Sequence, residues 1–248
     1  MLTTVTSRIA TCIMISLIIS KPVDCTNTGL AVHAAERKVV PMNMHVRQFV
    51  KDYIKDNNEI LCLVRRRSKY AFRVMDSVLT HYGLPKEMKY LAVIESELNP
   101  KALSAVGARG PWQLMPETAQ ELGLNVTPDW DERVSYGKST VAAAKYLRDL
   151  YGEFGDWLLV LAAYNGGPAP VYRAIRKSGS RNFWCLEKYL PAESRDHVKK
   201  FIASHYYFEG NGGVTTLTES EWAAYMDHVH PASQRLVPGA STMQYAAL

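Results

Sequence analysis

Glu95 lies in the middle of an apolar helical face. Wound at about 100° per residue, the segment from Pro85 to Leu98 (PKEMKYLAVIESEL) puts Met88, Leu91, Ala92 and Leu98 within about 60° of it. Lys86, Lys89 and Glu97 fall on the other side. A carboxyl among apolar neighbours loses hydration when the helix packs, and this favours its protonated form. Such a group suits general acid catalysis. The helix must end near Asn99-Pro100, and the negative end of its dipole adds to the cost of a bare anion there. On the helix alone, a general acid and a structural carboxyl satisfied by a buried hydroxyl or amide are equally good readings.

Two further segments carry groups of the kind that hold a sugar. Gly107 to Pro116 (GARGPWQLMP) is a glycine-bracketed loop that delivers Trp112, Gln113 and Met115 and then opens a helix at Pro116. Asp156 to Gly167 (DWLLVLAAYNGG) reads as a buried helix, capped by Asp156, that ends in Tyr164 and Asn165. Aromatic faces stack on sugar C–H surfaces, and amides read hydroxyl and N-acetyl groups. Each element alone is a weak signal, and Trp112 and Tyr164 also suit an ordinary core.

The elements that must position these groups are helical. The spacing of apolar residues predicts helices over roughly Met44–Asp56, Tyr70–His81, Pro85–Leu98, Pro116–Leu122, Tyr136–Tyr151, Asp156–Tyr164, Pro170–Lys177 and Ala192–Phe208. Several begin at Pro85, Pro116 or Pro170 and several stop at Gly83, Gly123, Gly152 or Gly166, the asymmetry expected of helix ends. No strand alternation and no internal repeat interrupts them, so the fold class is all-α.

Taken together, the segments resemble the lytic murein transglycosylases with a lysozyme-like catalytic domain, particularly the membrane-bound type D group. The matching pieces stand in family order: Leu84-Pro85, Val93-Ile94-Glu95-Ser96 and Asn99-Pro100; then Gly107-Ala108, Gly110, Trp112-Gln113-Leu114-Met115-Pro116 and Thr118-Ala119. They continue through Asp131-Glu132-Arg133, Ser139-Thr140, Ala143-Ala144, Tyr146-Leu147, Phe154-Gly155-Asp156-Trp157 and Ala162-Ala163-Tyr164-Asn165 to Phe183-Trp184 and Leu190-Pro191. The resemblance spans about residues 80 to 205. It implies cleavage of the β-1,4 bond between N-acetylmuramic acid and N-acetylglucosamine in peptidoglycan, with a 1,6-anhydro product. It makes Glu95 the single catalytic acid and Ser96, Gln113, Met115, Tyr164 and Asn165 substrate-binding residues, with no cofactor. Two positions depart from the pattern: Ser135 stands where the family often has Asp, and Ala169 where it often has Gly. The rival readings are a lysozyme-type hydrolase, with Glu97, Asp129 or Asp131 as second carboxylate, and a silent wall-binding protein.

The expected organisation is a signal peptide at 1–34, a helical preamble at 35–79, the lysozyme-like domain at 80–208 and a tail at 209–248 that adds little to the core. Arg8, the apolar run Ile9–Ile19 and Ala31-Val32-His33-Ala34-Ala35 have the order of an export signal, which places the protein in the envelope and its periplasm. Acylation at Cys25 is the alternative, although Pro22-Val23-Asp24 matches a lipobox poorly. Cys62 and Cys185 would remain after cleavage, either paired or as thiols. With 248 residues, 47% of them hydrophobic, the chain is long and apolar enough for a real core. A formal net charge of +5 suits an anionic polymer or a membrane surface, and Arg65-Arg66-Arg67 reads as a solvated helix face. Neither a metal-ligand spacing nor a nucleic-acid motif is present. The expected partner is the peptidoglycan glycan strand; oligomeric state is left open.

Overall fold

In the computed structural model, residues 39–229 are described; the expected signal peptide at 1–34 and residues 230–248 of the expected tail lie outside them. The elements are α1 (Met44–Asp56), α2 (Asn58–His81), α3 (Lys89–Ser96), α4 (Pro116–Glu121), α5 (Tyr136–Phe154), α6 (Trp157–Gly166), α7 (Pro168–Ser178), α8 (Phe183–Leu186), α9 (Ala192–Glu209) and α10 (Glu219–Val229). Among the described residues only isolated bridges pair extended backbone, at Leu103–Arg109, Arg109–Leu114 and Val126–Asp131. No described helix is long and apolar enough to cross a membrane.

Helix α6 is the axis of the fold. Trp157 to Ala163 are all buried, and a helix that is apolar all round must be enclosed by others. Helices α5, α7 and α9 surround it. Ala142, Ala143, Ala144, Ala162 and Ala163 keep the side chains between α5 and α6 short enough for close approach, while Leu158, Leu159 and Leu161 each contribute about 1.5–3 kcal/mol by burial. Asp156 starts the helix by accepting from the N–H groups of Leu158 at 2.8 Å and Leu159 at 3.3 Å.

The preamble belongs to the same core. Helix α1 packs on α9 and α2 on α5, and Val46, Val50, Met75 and Leu79 lie within the main apolar cluster. Helix α2 begins twelve residues earlier than periodicity predicts, at Asn58, because no Gly or Pro interrupts the stretch and Leu61, Cys62 and Val64 give it a buried side. Its arginines are not simply solvated. Arg65 bonds the Tyr207 carbonyl and lies 4.3 Å from the Tyr207 ring centroid, and Arg67 bonds the Glu97 carbonyl. Cys62 is buried whereas Cys185 is an exposed free thiol, so the two do not pair.

The expected tail also contributes more than its sequence indicates. Thr215, Thr216, Leu217 and Thr218 are buried, and the Glu219 N–H reaches the Asp156 carboxylate at 2.8 Å. Glu221 accepts from Trp184 Nε1 at 3.1 Å. A threonine-rich stretch lacks apolar periodicity, but its hydroxyls can satisfy one another and local backbone when buried, as Thr216 does with Gly213.

Candidate active site

Helix α3 delivers Glu95 within its last turn, after a short 3-10 helix at Lys86–Met88. Met88, Leu91, Ala92 and Leu98 are buried, as the helical wheel predicts, and the Glu95 side chain is 16% exposed. The wheel fails for Glu97. The helix stops at Ser96, and Glu97 (φ 52°) and Leu98 (φ 61°) both enter the left-handed region. The Glu97 N–H returns to the Val93 carbonyl at 2.8 Å and the Leu98 N–H to the Ala92 carbonyl at 3.2 Å, closing the helix end. Glu97 is thereby turned to the rim of the same cleft as Glu95, where its carboxylate lies 3.5 Å from Arg67. This corrects the opposite-face placement that the periodicity predicts.

The cleft, about 350 Å³, is lined by Arg67, Ile94, Glu95, Ser96, Glu97 and Asn99. Among the described residues the non-glycine positions with positive φ are Glu97, Leu98 and Gln113, each costing about 1–3 kcal/mol. All three sit on the segments that build the site.

The 107–116 loop is joined to α3 by Ser96, whose hydroxyl donates to the Pro111 carbonyl at 2.9 Å. Gln113 (φ 46°) donates its Nε2 to the Gly110 carbonyl at 2.9 Å and the Ala102 carbonyl at 3.3 Å, which fixes the amide orientation and leaves Oε1 as an acceptor. Trp112 is fully buried and donates Nε1 to Thr140 at 2.9 Å, so it is a core residue and not a stacking platform. Beneath the loop, Arg133 grips the Gly107 and Leu114 carbonyls at 2.8 and 2.9 Å and the Asp131 carboxylate at 2.7 Å. Burial pushes the Asp131 carboxyl upward, but hydrogen bonds from Arg133 and the charges of Arg133 and Arg109 bring it below its ordinary value. Gly110 makes the grip possible: at φ 82°, a Cβ there would lie 1.9 Å from the Arg133 carbonyl oxygen.

Helix α6 brings up Tyr164, whose hydroxyl donates to the Trp112 carbonyl at 2.7 Å. Burial, and then the Glu95 charge, push its phenol well above the ordinary range, so it stays neutral. Asn165 accepts from the Ser194 hydroxyl at 2.9 Å, which leaves its Nδ2 as a donor. Met115 is exposed ahead of α4. Glu95 and Ser96 thus line the cleft directly. Gln113, Tyr164 and Asn165 are tied to its surroundings through backbone and α9, and Met115 stands outside the lining.

Two of the candidate second carboxylates are engaged: Asp131 by Arg133 and Arg109, and Glu97 by Arg67. Asp129 is exposed. Of the two departures from the motif pattern, Ser135 still caps α5, accepting from the Lys138 N–H at 3.4 Å, and Ala169 is exposed on α7.

The group that periodicity missed is His197. Its Nε2 lies 2.8 Å from Glu95 Oε1, its side chain is 9% exposed, and its Nδ1 is buried without a partner among the described residues. A signal for it existed. On α9 the buried stripe runs Ser194, His197, Val198, Phe201, Ile202 and His205, so polar residues interrupt an otherwise apolar face.

The chain is similar to known proteins in sequence and in fold. Residues 77–186 match the Transglycosylase SLT domain. The chain is 32% identical over 169 residues to the membrane-bound lytic murein transglycosylase D of Escherichia coli (strain K12), covering 66% of this chain and 37% of that protein. It is 31% identical over 143 residues to the soluble lytic murein transglycosylase of Salmonella typhimurium (strain LT2), covering 52% and 21%. The chain therefore spans little more than a third of the first relative's length. Among solved structures, the 70 kDa soluble lytic transglycosylase of Escherichia coli superposes with a TM-score of 0.54 at 23% identity, over 75% of this chain and 33% of that one. That likeness establishes the lysozyme-like all-α fold. Residues 77–186 are thus the part of the chain that is similar to the Transglycosylase SLT domain.

Proposed function

We propose that the protein is a lytic transglycosylase of the cell envelope that cleaves the β-1,4 bond between N-acetylmuramic acid and N-acetylglucosamine and leaves a 1,6-anhydromuramic end. The observation that carries this reading is Glu95: one carboxyl within the segment that matches the SLT domain, largely buried at a helix end and opening into a cleft. Protonated Glu95 gives its proton to the glycosidic oxygen as the C1–O4 bond breaks and the electron pair passes to O4. The resulting carboxylate takes the proton of the muramic 6-hydroxyl as O6 bonds to C1. The carboxyl is regenerated and no water enters. Ser96, Gln113, Met115, Tyr164 and Asn165 would hold the sugar, with Gln113 Oε1 as acceptor and Asn165 Nδ2 as donor to hydroxyl and N-acetyl groups. A hydrolase needs a second carboxylate free to activate water or form a covalent intermediate. Asp131 is held in a buried fork by Arg133, Asp129 lies outside the cleft lining, and Glu97 pairs with Arg67 at the rim.

The test is cleavage of purified peptidoglycan by Glu95→Gln and Glu97→Gln. Glu95→Gln should lose about 10²-fold or more in rate with an unchanged fold, since the amide fills the site but gives no acid proton. Glu97→Gln should stay within a few-fold of the parent, because its exposed pair with Arg67 contributes about 1 kcal/mol or less. Equal losses in both folded variants would exclude a single catalytic acid. For export, N-terminal sequencing of the mature protein from the envelope should give a new terminus near Ala35. An intact Met1 in the cytoplasm would refute export, and an acylated Cys25 would replace periplasmic release by lipid anchoring.

A further inference from the structure

We propose that His197 is a fixed neutral hydrogen-bond donor to Glu95, a positioning residue that assigns proton transfer to the other carboxyl oxygen, Oε2. The inference rests on the reading of Glu95 as the acid. Three proton arrangements are compatible with the 2.8 Å contact between His197 Nε2 and Glu95 Oε1. An imidazolium, or a neutral ring protonated on Nδ1 that accepts from Glu95, puts an N–H at Nδ1, which is buried and has no acceptor among the described residues. An orphaned buried donor costs about 1–3 kcal/mol, and more when charged. The neutral ring protonated on Nε2 also leaves Nδ1 unpartnered, as a lone pair, but it is the one neutral form that keeps its hydrogen bond to Glu95 Oε1 when the carboxyl becomes an anion; the other would set two lone pairs against each other across 2.8 Å. The other polar groups around Glu95 do not alter the choice: Tyr164 from α6 spends its hydroxyl on the Trp112 carbonyl, and Arg67 from α2 pairs with Glu97 at the rim.

The consequence is a division of labour between the two oxygens of one carboxyl. Oε1 receives the His197 N–H throughout the cycle. Oε2 carries the proton to the glycosidic oxygen and later takes one from the 6-hydroxyl. The His197 bond strengthens when Glu95 becomes an anion, since charge-assisted hydrogen bonds are shorter and stronger. It therefore stabilises the charge that develops as the bond breaks more than it stabilises bound substrate, and its effect falls on kcat and not on KM.

Two measurements test this. His197→Phe preserves an aromatic ring without the donor, and His197→Gln restores an N–H near the same place. On soluble glycan fragments, the phenylalanine variant should lose about ten- to one-hundred-fold in kcat, the range of a hydrogen bond to a charged group, with KM within about twofold. The glutamine variant should recover most of that loss. A phenylalanine variant with unchanged kcat, or losses in KM alone, would overturn the proposal. Nitrogen-15 NMR of the full-length resting protein gives a readout independent of turnover and of variant folding. His197 should appear as the neutral ring protonated on Nε2, and its resonances should move in Glu95→Ala. A proton on Nδ1 in either charge state would overturn the assignment. Failure of the underlying reading is separately visible, as retained cleavage by Glu95→Gln.

Discussion

Replacing Arg133 by methionine should loosen the loop that carries Gln113 without touching the cleft. Arg133 and Asp131 side chains are 6% and 8% exposed, and the guanidinium grips the carboxylate from both Nε, at 3.0 Å, and Nη2, at 2.7 Å. Its Nη1 holds the Gly107 and Leu114 carbonyls. Methionine fills similar space but leaves those carbonyls without their donor and Asp131 with only the Arg133 backbone N–H and the half-exposed Arg109. Breaking a buried ion pair from one side costs about 3–5 kcal/mol, a large share of a typical 5–15 kcal/mol stability. At about 2–4 °C per kcal/mol, the melting temperature should fall by roughly 10 °C. Urea unfolding at pH 7 measures this directly. Because burial shields the pair, the loss should persist at high salt. It should shrink in acid: the folded Asp131 carboxyl lies below its unfolded value, so its contribution is present above about pH 4 and fades as pH falls through the folded value. A methionine variant within about 0.5 kcal/mol of the parent at pH 7 would refute the clasp.

Gly110→Ala should be at least as damaging, since its Cβ meets backbone that cannot swing aside, 1.9 Å from the Arg133 oxygen; a variant with parental melting temperature and activity would contradict the close approach. Burial, with the charge of Lys89, holds His205 down to about 4 from an ordinary 6.5. The unfolded chain takes up this proton first, so the stability it brings is complete above pH 6.5 and is lost as pH falls toward 4, about 3 kcal/mol in all. His205→Asn should flatten that part of the urea midpoint profile, and identical profiles would exclude the effect.

Much of the architecture was legible because local rules and tertiary packing agree. The α1 bounds match the Met44–Asp56 helix that apolar spacing predicts, and the structure adds Asn43 as its N-cap; α6 follows from Asp156, seven consecutive buried residues and the closing glycines. Glu95 was legible because a carboxyl interrupts an apolar stripe. Glu97 was not, since the wheel assumes helical backbone where two left-handed residues end the helix. His197 required the same reasoning as Glu95, applied to α9. The loop clasp lay beyond periodicity altogether: Arg133 meets Gly107 across 26 positions of chain, and neither local propensity nor spacing encodes that meeting. The order of motifs nonetheless marked Asp131-Glu132-Arg133, and the structure gives the physical reason in the buried fork.

The claim that one carboxyl and the substrate's own hydroxyl suffice is tested most directly by digesting peptidoglycan with the purified protein in ¹⁸O-labelled water, followed by mass spectrometry of the released muropeptides. Attack by O6 predicts unlabelled muramic ends, lighter than reducing ends by one water. Reducing ends carrying ¹⁸O would identify water as the nucleophile and contradict the account.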